Sequence, residues 1–516
     1  MPILPNRITN DYVHALQWVY HGIDKRGIMV SPVRLDRARA EVSEAIAKHL
    51  VIIRDTWNCH VYLGAANDDG SADSVNLNAS SGKRTPLLKL KDLGYKIPKV
   101  SSRNEDGEYI AKESLAELAL QKMLSENQFK HPTGDPVIKA ILSIRELITL
   151  QSRYINANLY HYEGDSFYLT NYNVAGTSTG RRSSRKHSFG FGNNAQNFPK
   201  HGETARIYRR CLVARPGKIL LFVDQMQAED WAVSALAENQ KALADLISGV
   251  DRHKQLAMAV FQLSADHYTE KEWKDSMERY LGKKIRHANN YGMKGNTMAD
   301  ALAKEAIPMS PMHCQALLDI ANAVDPSIKG VFHKYVERCL YDTRVLVTPW
   351  GRERQFYGLR AGDTGNNQKV FREAYSYIPQ STIGDNTGFA VYDLECCDKQ
   401  SKTPPAVIHE NHDSIGQEIM DNPDNIWNYV QKTIHSFDRT ARFANGFETK
   451  IPVEGEIGYD FYATITLKNN ETGSKKLEDL RYKDIQIAYI KLQEMKAKAE
   501  EEDAKYGETT VSKLDS

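Results

Sequence analysis

Apolar residues recur at helical spacing near the start of the chain. Ser31 and Pro32 make a helix start, an N-cap followed by proline in the first turn, and Leu35, Ala38, Val42, Ile46, Leu50 and Ile53 then follow at steps of three or four. This predicts a helical first lobe. Between Ala65 and Gly107 the chain turns polar, rich in Asn, Asp, Gly and Ser, around a Lys-rich patch from Lys83 to Lys99, which predicts a tip that touches a polyanion. From Tyr168 the texture changes to short apolar runs punctuated by Gly and Pro. Ile219 to Val223 and Ala406 to Ile408 read as buried strands of one sheet. From Trp231 to about Tyr341 helical periodicity and charge predominate, so a helical lobe is expected between strands of that sheet. After Lys468 come Asn-Asn-Glu-Thr-Gly, a helical segment from about Ser474, and the acidic run Glu500 to Asp503. Leu477, Leu480, Ile485, Ile490 and Leu492 form a loose apolar stripe there, so this tail either docks or is a solvated appendage outside the core.

Length and charge narrow the picture only slightly. A chain of 516 residues is too long for one ordinary core and should divide into lobes. Lys plus Arg at 67 against Asp plus Glu at 66 leaves a net charge of +1, so any polyanion site must come from local distribution. Cys59, Cys211, Cys314, Cys339, Cys396 and Cys397 are scattered, with no C-x-x-C pair and no His at metal spacing, and read as buried thiols of a reducing compartment. The start carries no signal or transit pattern and no run reaches membrane-spanning length, so a soluble, cytoplasmic protein without membrane association is expected.

The chemistry sits at a few points. Lys218-Ile-Leu-Leu-Phe-Val-Asp224 is an apolar run that delivers a carboxylate at its end, which suits a metal anchor at a strand terminus. The plainer alternative is an N-cap at Asp224 with Gln227 completing a capping box. Val407-Ile-His-Glu-Asn-His412-Asp413-Ser-Ile places His-Asp between two strand-like stretches, as a hairpin turn would. Two aspartates on adjacent strands can hold two divalent ions about 3.5–4 Å apart, the arrangement used in phosphoryl transfer. Arg279, Lys283, His287 and Tyr291-Gly292 follow at steps of four, each step rotating by roughly 40°, so they share one broad helix face. Arg and Lys suit a triphosphate, and a planar ring can stack on a base. The alternative is a solvated basic face with Tyr291 in the core. Upstream, Thr179-Gly-Arg181-Arg182 opens a basic stretch with Arg185, Lys186, Lys200, Arg206, Arg209 and Arg210 against Glu203, interleaved with Asn193, Asn194, Gln196 and Asn197. That mixture suits a duplex held by its backbone and minor groove.

These residues together resemble the family A DNA polymerases, the bacterial DNA polymerase I class. Asp224-Gln-Met-Gln227-Ala-Glu229 is similar to the first palm motif Asp-Tyr-Ser-Gln-Ile-Glu, Arg279 to Gly292 to the fingers helix, and His412-Asp413-Ser414 to His-Asp-Glu. Thr179 to Ser184, Gln196-Asn197, Asp251-Arg-His253, Gly351-Arg352-Glu-Arg354 and Pro379-Gln380 follow in the family's order, and the resemblance runs from about Ala15 to Thr466. It implies that Asp224 and Asp413 bind two catalytic Mg²⁺ ions, with Mn²⁺ as a substitute. Arg279, Lys283, His287, Tyr291, Gln227 and His253 would meet the incoming dNTP, and Glu229 would exclude a ribose 2′-hydroxyl. Arg181, Gln196, Asn197, Arg352, Gln380 and His412 would contact primer-template DNA. The sequence departs from the family at His287 for an aromatic residue, at Ser414 for Glu, and at Gln225 and Met226 for Tyr and Ser. None of these removes a residue implied to bind metal.

The resemblance further implies an α/β (α+β) right-hand polymerase fold with palm, fingers and thumb. Residues 1–30 would lead in, 31–165 form a helical thumb, 166–235 and 376–468 the two palm parts, 236–375 the fingers, and 469–516 a C-terminal appendage. Trp18 to Ser31 already resembles the opening of the polymerising module, so no proofreading nuclease is expected in the chain. A separate exonuclease, a replisome partner at the tail and a phage-like origin are the corresponding expectations. A single-subunit RNA polymerase is the nearest rival, which Glu229 argues against, and a lapsed polymerase that only binds primer-template is another.

Overall fold

A computed structural model describes residues 8–64, 74–79, 84–103, 109–127, 134–305, 307, 309–360, 362–396 and 406–514. Its chain divides into two compact units, one of residues 1–37, 157–293 and 317–516, the other of residues 38–156 and 294–316.

The first unit is organised by five antiparallel strands, β1 (Lys218–Gln225), β2 (Ala406–Asn411), β3 (Ser414–Met420), β4 (Val453–Gly458) and β5 (Thr464–Thr466), in the order β2-β3-β1-β4-β5. Ile219, Leu220, Leu221 and Val223 are all buried, which is why β1 reads as a continuous apolar run and occupies the centre of the sheet. Its register sets Asp224 opposite Ser414 on one side and Glu454 on the other. Helices α1 (Ala228–Leu236), α2 (Arg252–Phe261), α3 (Met277–Asn290), α4 (Thr364–Cys396) and α5 (Tyr482–Leu514) complete the frame around it. The core joins Ile219, Leu221 and Val223 of β1 to Phe389 and Val391 of α4 and to Ile457 of β4. A smaller sheet orders the strands Leu212–Val213, Ile28–Val30, Asp165–Tyr168 and Tyr160–Tyr162.

Helix α3 lies unusually close to α2. A Cβ at Gly282 would collide with the His253 carbonyl and meet Ala257, so only glycine permits this approach. Ser276 caps α3 by accepting the Arg279 N–H at 3.2 Å.

In the second unit Ile53, Trp57, Leu90, Leu120, Met123 and Ile141 form a separate apolar core. The expected helix after Ser31 runs from Pro32 to Trp57. The units do not map one to one onto three lobes, because residues 294–316 of the expected fingers segment group with 38–156. Residues 65–73, 80–83 and 104–108 of the expected polar tip, Lys83 among them, lie outside the described residues, as does Cys397. The other cysteines are free thiols, Cys211 and Cys314 buried as expected but Cys59, Cys339 and Cys396 only partly so.

The tail corrects the reading of an appendage outside the core. Leu477, Leu480, Ile485, Ala488 and Leu492 are buried in the core of the first unit, whereas Ile490 of the same stripe is exposed. Gln493 donates to the Tyr459 hydroxyl at 2.7 Å, and Arg34 links Asp460 at 2.9 Å to Asp503 at 2.6 Å. Among the described residues no helix is long and apolar enough to cross a membrane.

Candidate active site

Asp224 and Asp413 meet at the end of the central sheet. β2 and β3 are joined by a two-residue loop, His412-Asp413, and the Gln225 N–H donates to the Asp413 carbonyl at 3.2 Å, so both aspartates are fixed by strand pairing. His412 has φ 64°, a left-handed conformation that a non-glycine residue rarely adopts. Burial, then the like charges of Asp413 and Glu454, push the Asp224 carboxyl well above the ordinary carboxylate range. Burial also raises Asp413, against the opposing charge of Arg181. Asp224 is nevertheless open to solvent, at the wall of a concavity of about 510 Å³ shared with Lys200, Arg209, Glu454 and Lys475. The capping alternative fails, because Asp224 belongs to β1 and the residue capping α1 is Gln227, which makes no side-chain cap bond. The Gln227 amide instead donates to Val250 O and accepts from the Arg252 N–H, each at 3.3 Å.

What holds the hairpin is a buried network. Glu410, fully buried on β2, accepts the Tyr20 hydroxyl at 2.7 Å, Arg182 Nε at 3.1 Å and the His412 N–H at 3.1 Å. Thr387 of α4 donates to the His412 carbonyl at 3.0 Å, and Gln225 donates to the Thr387 hydroxyl at 2.9 Å while accepting from Asn386 at 2.9 Å. Gln225 thus ties β1 to α4 beneath the turn. Burial, then the Arg181 charge, press the His412 imidazole down to about 4, opposed by Asp413.

The helical stripe faces the same place. On α3, Leu281, Ile285 and Ala288 are buried, while Lys283 and His287 are exposed and Arg279 and Tyr291 partly so. His287 Nδ1 lies 2.8 Å from Glu229 Oε2, and Arg181 reaches Glu229 Oε1 at 3.1 Å. Burial opposes ionisation of Glu229, but the close approach of His287 and the charges of His287 and Arg181 outweigh it and hold the carboxyl at about 2. Gln380 is near enough to the Tyr291 hydroxyl to act on it, which brings that expected residue into the same cluster. The His287 and Tyr291 rings meet edge to face at 5.1 Å. Lys283 is near enough to Asp224 for its charge to act there.

Several expected ligands have protein partners of their own. Arg279 Nε pairs with Asp251 at 2.6 Å, and Asp251 caps α2 through the N–H groups of His253 and Lys254. His253 is pressed by burial to about 4. Arg352 forms a two-point pair with buried Asp385, 2.8 Å at each contact, and packs against Gly180. Gln196 is buried and donates to the Arg182 carbonyl at 3.2 Å, whereas Asn197 beside it is exposed. The inward turn of Gln196 and the Asp385 pairing of Arg352 set them apart from the freely presented donors that the sequence suggested.

The model of the family "DNA polymerase family A" matches residues 74–463. The chain belongs to DNA polymerase family A. Among curated relatives of this family A chain, a thermostable DNA polymerase I of Thermus aquaticus is 26% identical over 264 residues, 50% of this chain and 29% of the relative. A DNA polymerase of Bacillus phage SP01 is 21% identical over 456 residues, 83% of this chain and 46% of the relative. The chain therefore spans less than half the length of these relatives. The solved polymerase domain of Pol1 from M. smegmatis, in complex with DNA primer-template and dNTP, has a similar fold, with a TM-score of 0.66 at 18% identity over 87% of this chain and 69% of that one. The mixed helix-and-sheet architecture is thus that of a family A polymerase domain.

Glu410, Arg182, Tyr20, Thr387 and Asp251 are the positioning residues that sequence reasoning missed as such. A glutamate inside the strand run Val407-Ile-His-Glu410 was the one visible signal, since a lone charge in a buried run demands a partner.

Proposed function

We propose that the chain is a template-directed DNA polymerase that adds deoxynucleotides to a primer 3′-hydroxyl, with release of pyrophosphate. The observation that carries this reading is the contact between His287 of α3 and Glu229 of α1, which closes the cationic stripe over the strand-end carboxylates Asp224 and Asp413. Family A polymerases depend on metal ions. The donor set fits: two carboxyls, each pushed toward the neutral form by burial, would regain their charge beside a cation. Among the described residues no group of three or more His, Cys, Asp or Glu encloses an ion, so the remaining oxygen ligands would come from substrate phosphates and water, as suits Mg²⁺. Two such ions, when bound at Asp224 and Asp413, supply activation of the attacking hydroxyl and stabilisation of the leaving oxygen.

The protein's own groups orient the rest. Arg279 and Lys283 hold the triphosphate, with Asp251 fixing Arg279 through Nε. Glu229, kept ionised and immobile by Arg181 and His287, blocks a ribose 2′-hydroxyl. Tyr291 and Gln380 lie by the templating base, and Arg181 and His412 by the primer end. Asn197 and the basic residues around it suit the duplex backbone.

Primer extension on a defined template with Mg²⁺, comparing dNTPs with rNTPs and wild type with Asp224→Ala and Asp413→Ala, tests this. Template-directed dNTP incorporation lost in both variants is expected. A wild type that binds primer-template yet extends nothing under varied metals would replace it with the binding-only reading, and preference for rNTPs with the RNA polymerase reading.

A further inference from the structure

The basic stretch after Arg181 carries aromatic rings that a grip on duplex phosphates leaves unused. Phe189 is 81% exposed, and Tyr160 and Tyr162 are exposed on the strand Tyr160–Tyr162 at the edge of the smaller sheet. Successive side chains of a strand alternate between its faces, so these two tyrosines share one. Tyr160 meets Phe191 edge to face at 5.5 Å, Phe191 lies 6.4 Å from His187, and His187 lies 5.5 Å from Phe189. Four rings thus run without a break from the edge strand to the loop tip, and Tyr162 continues the face on which they begin. Single exposed apolar residues are ordinary on a protein surface, whereas a connected row of them marks a binding surface.

The loop is built to hold Phe189 out. Ser188 donates to Asn171 Oδ1 from its N–H at 2.6 Å and its hydroxyl at 2.7 Å, and Asn171 Nδ2 donates to buried Asp24 at 2.8 Å. The Gly190 N–H closes a turn on the His187 carbonyl at 2.8 Å, and the His187 N–H donates to the Phe191 carbonyl at 3.1 Å. Gly192, at φ 52°, donates to Asn158 O at 2.8 Å and lies so close to the Leu169 carbonyl that a Cβ would collide with it. Arg185 and Lys186 open the loop, both exposed, and among the described residues no carboxylate pairs with either. The Arg185 backbone is itself fixed, since its carbonyl accepts the Thr170 hydroxyl at 3.0 Å and its strand pairs with Asn171. Four residues separate Arg185 from Arg181, which reaches Glu229, so at most about 14 Å of chain lies between the loop and the cleft.

We propose that Tyr160, Phe191, His187 and Phe189, with Arg185 and Lys186, form a stacking surface for single-stranded DNA beside the polymerising cleft. Inside a duplex each base face is covered by its neighbour, so a row of rings finds nothing to stack on. An unpaired strand offers a face on every base and a phosphate between bases, which matches rings flanked by cations. A protein partner would also cover the rings, but lysine is depleted from such interfaces, and the uncompensated charges of Arg185 and Lys186 favour a polyanion. The surface uses neither Asp224 nor Asp413. Its duty beside a cleft rests on the polymerase reading, and the binding itself does not.

Fluorescently labelled oligo(dT), titrated with the full chain while an unlabelled blunt hairpin duplex saturates the cleft, reads the surface by anisotropy. Phe189 lies outside the core, so its replacement leaves the fold intact. Phe189→Ala is expected to weaken oligo(dT) binding about five- to tenfold, with Phe189→Trp close to wild type. Arg185→Gln with Lys186→Gln should reduce the slope of log affinity against log salt by roughly 1.4. Unchanged oligo(dT) affinity in Phe189→Ala overturns the proposal and leaves the rings to a protein partner. Weaker hairpin binding with unchanged oligo(dT) binding overturns it too, by assigning the rings to the duplex. So does a wild type that holds no oligo(dT) once the hairpin is bound. If wild type extends no primer yet Phe189→Ala still loses oligo(dT), the polymerase reading falls and the surface stands.

Discussion

Replacing Glu410 with glutamine tests whether the buried network fixes the hairpin that carries Asp413. The side chain is fully buried, and its two oxygens accept from Tyr20, Arg182 and the His412 N–H. An amide of the same shape has one accepting atom instead of two, and its NH₂ would point at a donor. Arg182, 1% exposed, would keep its charge but lose its ion-pair partner, retaining the Gly384 carbonyl 2.6 Å away and the Tyr20 ring 5.8 Å from its guanidinium. Removing one partner of a buried ion pair costs about 3–5 kcal/mol, a large share of a total stability of about 5–15 kcal/mol. Urea unfolding of Glu410→Gln, Arg182→Met and the double variant measures this. The double variant should be more stable than the sum of the single costs predicts, by about 2 kcal/mol, because no orphaned charge remains. In primer extension Glu410→Gln should lower kcat and leave the KM for dNTP nearly unchanged, since the hairpin holds Asp413 and not the residues proposed to hold the triphosphate. A single-variant cost below about 1 kcal/mol, or strict additivity, would refute the reasoning.

Three further outcomes follow from the packing. Truncation after Lys468 removes four large apolar side chains from the core, worth up to roughly 6–12 kcal/mol, so the shortened chain should lose its cooperative thermal transition; a wild-type melting curve would show that the tail is dispensable. His333, buried with Nε2 2.9 Å from the Asn290 carbonyl, is pressed by burial from 6.5 to about 4. Its folded value lies below the unfolded one, so the unfolded chain takes the proton first, and stability falls by up to about 3 kcal/mol as pH drops from 6.5 to about 4. Wild type and His333→Gln compared in urea at pH 7 and 4.5 should differ in that loss, and equal losses would count against it. Gly282→Val drives a Cβ into the His253 carbonyl, so a cost of about 1–3 kcal/mol and a raised KM for dNTP are expected, the latter because α3 carries the stripe.

The parts of this site that a linear reading reaches are those with local signatures. β1 was visible as an apolar run ending in Asp224, the hairpin as His412-Asp413 between two strands, and the stripe as a period of four. Their partners were not visible, because Glu410 and Arg182 stand 228 residues apart, and Tyr20 and Glu410 stand 390 apart. The tail stayed open between docking and solvation for a related reason. Its stripe is short and interrupted by Ile490, so the pattern alone did not reveal that a buried face of the first unit awaits Leu477 and Ile485. The partners of Gln196 and Arg352, the Arg182 carbonyl and Asp385, were equally out of reach of a linear reading.

The position of β1 at the centre of the sheet bears on synthesis. Both of its neighbours, β3 and β4, emerge from the ribosome after it, β3 about 190 residues later, which at a typical elongation rate is roughly 10–40 s. Through that interval Ile-Leu-Leu-Phe-Val has neither hydrogen-bonding edge satisfied, and a strand of this composition is prone to pair with a stranger. Lys218 and Asp224, one charge at each end, act as gatekeepers against such pairing. The aspartate proposed to bind metal thus also stands guard over the nascent chain, and a neutral substitution there should lower soluble yield as well as activity.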